Sequence, residues 1–374
     1  MGSGAGGAAG GGIVGAAGGG IAGVASSAGA AGAADVASAN ADSGAAALEI
    51  RTGAAATLVE GFRLGHATDE RAGTGCTVIT CEQGALGALS VRGAAPATRE
   101  SDLLDPRGSV ERVNAVMLSG GSAFGLDAAG GAMRWLSERG WGLDVGGAVV
   151  PIVCGASLFD LLVGDKAIRP DDSFGYRACE EASSIVTVGN VGAATGASVG
   201  KLLGGDFDMK SGFGAASLCL DGLCVSALVA LNALGTVFER ASGRLIAGVR
   251  DPRAPDTILD APEALRLAMS GADVKAAPSP GSNTTIGCVL TNALLTKAQA
   301  THIADMAHDG YARAIEPVHT RLDGDAVFIL TTAQQEASPD VVGALCAWVM
   351  EAAVCDAALS ATAAYGLPAA RDLF

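Results

Sequence analysis

The stretch PSPGSNTTIGCVLTNA, residues 278–293, constrains this chain more than any other. A turn-forming run of Pro278, Pro280, Gly281, Ser282 and Asn283 meets Thr284 and Thr285, and an apolar strand comes at once after them. Proline and glycine keep any element from running through, so a core strand has to start afresh near residue 285. Two readings of the junction are open. Asn-Thr-Thr is a loop that starts a strand, or the chain is cut between Asn283 and Thr284 and Thr284 becomes a new amino terminus. A terminal threonine carries its own base, because an α-amine titrates at about 7.7–8.0 and takes a hydroxyl proton at neutral pH.

Strand and helix signals alternate from Leu48 onward. TVIT (77–80) and NAVMLSGG (114–121) predict strands, the second running into a helix with Phe124, Ala128, Ala132 and Leu136 on one face and Gly140 as its stop. Residues 184–198 and 218–238 also predict strands, the second pair turning at Asp221-Gly222. Beyond the junction, 285–293 and 326–332 predict strands. Thr296 to Gln299 reads as a capping box for a helix with Ile303, Met306, Ala307 and Ala314 on one face. Ser338 and Pro339 open a further helix that buries Val342, Leu345, Cys346 and Val349. Extended strands with one-sided helices imply an α+β chain of two packed sheets covered by helices.

Composition narrows the function. Hydrophobic residues make up 49% and aromatic residues 4%, so the core is aliphatic. A net charge of −15 with five lysines repels phosphate backbones, which excludes nucleic-acid partners, and no basic amphipathic stretch or long apolar run suggests a membrane. Nine scattered cysteines without a CxxC read as small reduced core residues, which makes the cytoplasm the default compartment. Four histidines without ligand spacing imply no metal site, and no cofactor motif is complete. Residues 1–47 are a Gly/Ala/Ser tract, expected to be a flexible extension without the basic and apolar regions of a secretory signal.

The glycines of GGSAFG fit neither the dinucleotide fingerprint nor a P-loop nor a nucleophile elbow. Gly120, Gly121 and Ser122 read first as a tight strand-to-helix turn, with a backbone N–H role near a substrate as the alternative. His319 is isolated and reads as structural.

Seven stretches taken together carry a resemblance: RGAAPATRESDLLDP, VMLSGGSAFGLDAAGGAMRWL, VPIVCGASLFDL, GNVGAATGAS, VSALVALNALGTV, NTTIGCVLTNALLTKAQA and AHDGYARAIEPVHTRLDGDAVF. In this order they resemble the L-aminopeptidase/D-amidase/D-esterase peptidase family, and NTT resembles its threonine branch, which includes nylon-oligomer hydrolases. The resemblance covers roughly residues 58–335 and most of the remaining carboxy-terminal residues. It implies a four-layer αββα sandwich and a single domain over 48–374. That domain would cut itself into a large chain (48–283) and a small chain (284–374), giving a homo-oligomer, tetrameric in two-chain units.

For this sequence the resemblance implies Thr284 as nucleophile and Asn283–Thr284 as the cleavage site. Asn232 is implied as oxyanion donor, with Asp323, Asp325 and Lys201 supporting the nucleophile. The substrate is expected to be a small amide or peptide, hydrolysed without metal or organic cofactor. Phe159 stands where some relatives carry tyrosine, so a phenolic donor is missing beside the substrate. An acyltransferase of the ornithine acetyltransferase type and an uncleaved binding homologue are the alternatives.

Overall fold

A computed structural model describes residues 48–270 and 281–373, together with Met1. The extension read over 1–47, Met1 apart, and the turn residues Pro278 and Pro280 lie outside the described residues. Eight strands build the body of a ten-stranded sheet. They are β1 (Phe62–Asp69), β2 (Thr74–Val91), β3 (Arg112–Ser119), β4 (Val153–Ser157), β5 (Phe213–Leu220), β6 (Leu223–Ala230), β7 (Ile286–Ala293) and β8 (Ala326–Gln335). Their order is β5-β6-β7-β8-β2-β3-β4, with two-residue edge strands Arg51–Thr52 and Thr98–Arg99 at the two ends and β1 paired to β2. The helices are α1 (Ala128–Ser137), α2 (Asp172–Glu180), α3 (Ala261–Ser270), α4 (Lys297–Ala312) and α5 (Pro339–Ser360).

Strand β2 explains how one hydrogen-bonded sheet makes two layers. Its first half pairs with β1 and β3, and its second half pairs with β8. The register shifts between Thr80 and Ala85, where Gly84 takes a φ of 68° open to glycine at little cost. The sheet therefore bends into two leaves that face each other. Leu64, Ile79, Val116 and Leu118 of one leaf meet Phe213, Leu228, Cys288 and Phe328 of the other. Outside the first leaf, Val78, Met117 and Val153 pack under Leu136 of α1 and Phe174 of α2. Outside the second, Val229, Val289 and Ile329 pack under Ile303 of α4 and Val342 and Val349 of α5. The layer order is αββα, as the resemblance implied.

Several local expectations hold and others give way. The Asp221-Gly222 turn joins β5 to β6 in full antiparallel register. Thr296 caps α4 through the Gln299 N–H, and Gln299 returns the bond to the Thr296 N–H, a complete capping box. Ala314 falls beyond the end of α4 and Met306 is half-buried. Residues 184–197 form a coil with an isolated bridge at Gly189 and a 3-10 turn at Gly192–Ala194, and Ser198 opens a strand of only two residues, because a β-branched run broken by Gly189, Gly192 and Gly196 offers no continuous pairing edge. The segment after β3 begins as a 3-10 helix (Ser122–Asp127), so Phe124 turns outward, 55% exposed, beneath the Arg169 guanidinium.

Two broader expectations are corrected. Cys219 and Cys224 form a disulfide, because the two-residue turn makes them direct cross-strand partners with Cα atoms 4.2 Å apart. The other seven cysteines are free, six of them buried. Helix α5 is long and apolar enough by length and composition to cross a membrane, contrary to the expected absence of such a run. Here its apolar positions pack on α4 and the outer face of the second leaf.

Sheet pairing also sets where the site must form. Strands β7 and β8 run parallel with Ile286 beside Ala326, and β6 runs antiparallel with Ala230 beside Ile286. The end of β6 and the starts of β7 and β8 thus emerge together, carrying Asn232, Thr284, Asp323 and Asp325 to one edge of the sheet.

Candidate active site

Thr284 sits in the two residues between the junction and β7, 2% exposed. Its hydroxyl donates to the carbonyl oxygen of Asn283, the peptide bond directly before it. The same oxygen accepts from the Gly324 N–H at 2.9 Å, within a short parallel bridge between Asn283 and Asp323. A Cβ on Gly324 would lie 2.9 Å from Thr284 Oγ1 and 2.6 Å from the Ala95 carbonyl, so only glycine fits this close approach. The hydroxyl and a backbone N–H therefore address one carbonyl, an arrangement suited to attack on that carbonyl and to charge on its oxygen.

Asn232 stands on the other side of the threonine. Its carbonyl accepts from the Thr284 N–H at 2.8 Å and from Lys201 Nζ at 3.4 Å. The two nitrogens share one oxygen, which keeps them within about 6 Å, the range over which a like charge shifts a pKa. The Asn232 side-chain oxygen accepts from Lys201 Nζ and from the Ser198 N–H, and Nδ2 donates to the Phe159 carbonyl at 3.1 Å. These contacts orient the amide and leave a second Nδ2 hydrogen without a partner among the described residues. Burial pulls the Lys201 ammonium down to about 8, while Asp208, Asp323 and Asp160 pull the other way.

The two aspartates divide their work. Asp325 accepts from the Thr285 N–H at 2.8 Å through Oδ1, and from His319 Nδ1 at 2.8 Å through Oδ2. Asp323 is held by the N–H and hydroxyl of Thr320. Burial first, and then the Asp325 charge, push Asp323 up to about 6. Neither carboxylate bonds to Thr284 itself: Asp325 fixes the residue after it and Asp323 sits within the electrostatic reach of Lys201. His319, read from the sequence as structural, is the second partner of Asp325, and its ring packs edge-on against His308.

A cavity of about 480 Å³ opens beside this cluster, lined by Phe159, Ser282, Lys201, Ser198 and the carboxylates Asp160 and Asp208 among others. Phe159 lines the cavity and gives its carbonyl to Asn232, which is the backbone half of what a tyrosine there would offer. Gly120, Gly121 and Ser122 are not brought into it. The Gly121 N–H donates to Asp160 Oδ1 at 2.7 Å, the Ser122 N–H donates to the Leu158 carbonyl at 2.9 Å, and a Cβ on Gly120 would lie 2.0 Å from Asp160 Oδ2. The glycine turn seats Asp160. Sequence reasoning missed Asp160, Ser198, Asp208 and the Gly324 N–H; Gly324 alone had a signal, a glycine between two acidic residues.

The αββα sandwich has an N-terminal-nucleophile-hydrolase type of fold. The chain belongs to peptidase family S58, whose sequence pattern matches residues 55–369. It is 42% identical over 328 residues to an uncharacterized aminopeptidase of Mycobacterium leprae (80% of this chain, 86% of the relative). It is 31% identical over 278 residues to a 6-aminohexanoate-oligomer endohydrolase of Kocuria sp. (73% of each). Its fold is similar to the L-aminopeptidase D-Ala-esterase/amidase of Ochrobactrum anthropi, described as a variant of the Ntn hydrolase fold, with TM-score 0.62, 17% identity and 83% and 88% of the two chains covered. A Burkholderia sp. beta-aminopeptidase gives TM-score 0.60, 18% identity and 84% and 90% coverage. Family membership makes this chain a peptidase or amidase.

Proposed function

We propose that this chain is a self-processing amidohydrolase in which Thr284, freed as an amino terminus, is the nucleophile. The observation that carries the reading is the convergence of the Thr284 hydroxyl and the Gly324 N–H on the Asn283 carbonyl oxygen. In the first stage Thr284 Oγ1 adds to the Asn283 carbonyl carbon and the developing oxyanion is met by the Gly324 N–H. The hydroxyl proton passes to the Thr284 nitrogen as the peptide C–N bond breaks, leaving Asn283 as an ester on Thr284 beside a free α-amine. Water opens the ester, giving an Asn283 carboxylate and restoring the Thr284 hydroxyl.

In the second stage the α-amine takes the Thr284 hydroxyl proton as Oγ1 adds to the substrate carbonyl carbon. The spare Asn232 Nδ2 hydrogen stabilises the oxyanion, a contribution of about 10²–10³ in rate for such a donor. The amine then gives the proton to the leaving nitrogen, and water releases the acid from the acyl-enzyme. Lys201, sharing the Asn232 carbonyl with the Thr284 nitrogen, keeps the amine unprotonated by like-charge repulsion. Asp325 and His319 hold Thr285, and so the entry to β7, in place.

The substrate is a small peptide or linear amide bearing an amine; the 31% identical relative named for 6-aminohexanoate oligomers supports the linear-amide class. We infer a cytoplasmic location, on the seven cysteines that stay free, and a homo-oligomer of two-chain units. Intact mass spectrometry of the wild type and of Thr284→Ala tests the reading. Two chains, the smaller beginning at Thr284, are expected from the wild type and one whole chain from the variant. A wild type that stays whole after prolonged incubation sinks it.

A further inference from the structure

Lys210 is sealed in the interior, 0% exposed, and no step above uses it. Its Nζ donates to three main-chain carbonyls, those of Ala194 at 3.3 Å, Ala197 at 3.0 Å and Ser211. Burial, and after it the Lys201 charge, draw this group down to about 7. It therefore serves as a donor to carbonyls more than as a fixed charge. A buried amine of this kind is costly unless its hydrogens are met, and here they are met by drawing two backbone segments, 194–197 and 211, to one point.

These two segments flank Asn232. Ser198 directly follows the first, and its N–H donates to Asn232 Oδ1 at 3.1 Å. The two-residue strand Ser198–Val199 pairs with Met209–Lys210, with Lys210 opposite Ser198. On the second side, the Ser211 hydroxyl donates to the Leu231 carbonyl at 2.5 Å and the Leu231 N–H donates to the Gly212 carbonyl at 3.2 Å. Residues 211 and 212 thus grip the residue before Asn232. The Ser211 N–H donates to the Ala197 carbonyl at 3.1 Å, which closes the ring between the two segments. The Ser198 side chain has its own tether, a hydroxyl bond to Asp208 Oδ2 at 2.8 Å, but that bond does not aim the N–H.

We infer that Lys210 is a positioning residue for the oxyanion donor, setting through Ser198 and Ser211 where Asn232 presents its Nδ2 hydrogen. This rests on the hydrolase reading above for the task of Asn232, and on the bonds around Nζ alone for its placement. Without Nζ the segments are joined only by the Ser211 N–H, and the Ser198 N–H is no longer held on Asn232 Oδ1. Lys201 then becomes the remaining partner of that oxygen, and the amide turns toward it. A shift of about 1 Å in such a group costs about 10²-fold in rate. Self-cleavage is spared, because its oxyanion is met by the Gly324 N–H on a different segment.

Two measurements test the placement. The first compares Lys210→Met, Asn232→Ala and the double variant on 6-aminohexanoyl p-nitroanilide, with intact mass following self-cleavage in each. Lys210→Met is expected to cut itself within about 2-fold of the wild-type rate, and to lose roughly 10- to 100-fold in kcat with little change in KM. In the Asn232→Ala background the same substitution should change kcat by less than about 2-fold, since the amide it acts through is already gone. An undiminished kcat, an equal loss in both backgrounds, or a matching loss of self-cleavage overturns the inference and leaves the hydrolase reading intact. Where Lys210→Met does not fold, Lys210→Gln, which keeps two hydrogens for the carbonyls, takes its place, with the same split expected at a smaller size. The second measurement needs no turnover: amide hydrogen exchange by NMR in Thr284→Ala, with and without Lys210→Met. Exchange at the Ser198 N–H faster by roughly 10-fold or more, with Val289 and Ile329 in the sheet unchanged, supports the positioning role. It does so even if the wild type is never cut, an outcome that would count against the hydrolase reading alone. Unchanged exchange at Ser198 overturns the positioning role.

Discussion

Replacing Gly324 by alanine puts a methyl carbon where three neighbours already stand. Built on the existing backbone, it lies 2.6 Å from the Ala95 carbonyl oxygen, 2.9 Å from Thr284 Oγ1 and 3.1 Å from Pro96 Cα. Two of these are main-chain atoms of a segment tied down by the Ala95 N–H bond to the Asp323 carbonyl, so the 323–325 strand entry has to move instead. Any such movement withdraws the Gly324 N–H from the Asn283 carbonyl. Loss of a single oxyanion donor costs about 10²–10³ in rate, and the overpacking itself costs about 1–3 kcal/mol of stability. Cleavage of freshly made Gly324→Ala, tracked by intact mass over hours to days, is therefore expected to run at least 100-fold slower than in the wild type. A thermal melt run in parallel shows that the chain is folded. Cleavage of a folded variant at the wild-type rate would refute the assignment of this N–H as the donor for self-processing.

Two further predictions concern charge. Lys201→Met removes a positive charge beside the Thr284 amine, so the protonated amine becomes easier to form and its pKa rises. The acid limb of the kcat/KM profile should move to higher pH in the processed variant; an unmoved limb would detach Lys201 from the amine. Asp323 has its folded pKa raised to about 6, above the ordinary carboxylate value of about 3.9. The folded state therefore holds this proton more tightly, and the resulting stability is present below about 3.9 and lost as pH rises through about 6. Asp323→Asn, which keeps an oxygen for Thr320, should gain more Tm over the wild type at pH 8 than at pH 5, and an equal or reversed difference would argue against a burial-raised carboxylate.

What was legible in the sequence was whatever depended on neighbours along the chain. The Asp221-Gly222 turn, the Thr296–Gln299 box and the apolar face of α5 each rest on residues a few positions apart. The αββα order and the Thr284–Asn232–Asp325 grouping were read from resemblance, since no periodicity reveals that β6, β7 and β8 open at one edge. The Cys219–Cys224 pair carried a local signal, two cysteines equidistant from a two-residue turn, that a search for CxxC passes over. Asp208 and Asp160 had none. Their importance comes from the cavity they line and from which of their oxygens are engaged, and both are products of packing between segments far apart in sequence.

The place of β7 and β8 in the sheet would give a chain cut at Asn283–Thr284 an unusual kind of integrity. Residues 284–374 supply two adjacent strands from the interior of the sheet, flanked by β6 on one side and β2 on the other, together with both helices of one outer layer. Severing the Asn283–Thr284 bond would thus free no module. Each fragment would lack the hydrogen-bonding edge that the other provides, so under the proposed reading the chain would have to fold whole before being opened. Unfolding would then separate two molecules, and recovery would become a second-order encounter that slows with dilution. Such a protein would assemble once as a single polymer and thereafter persist through the barrier to coming apart.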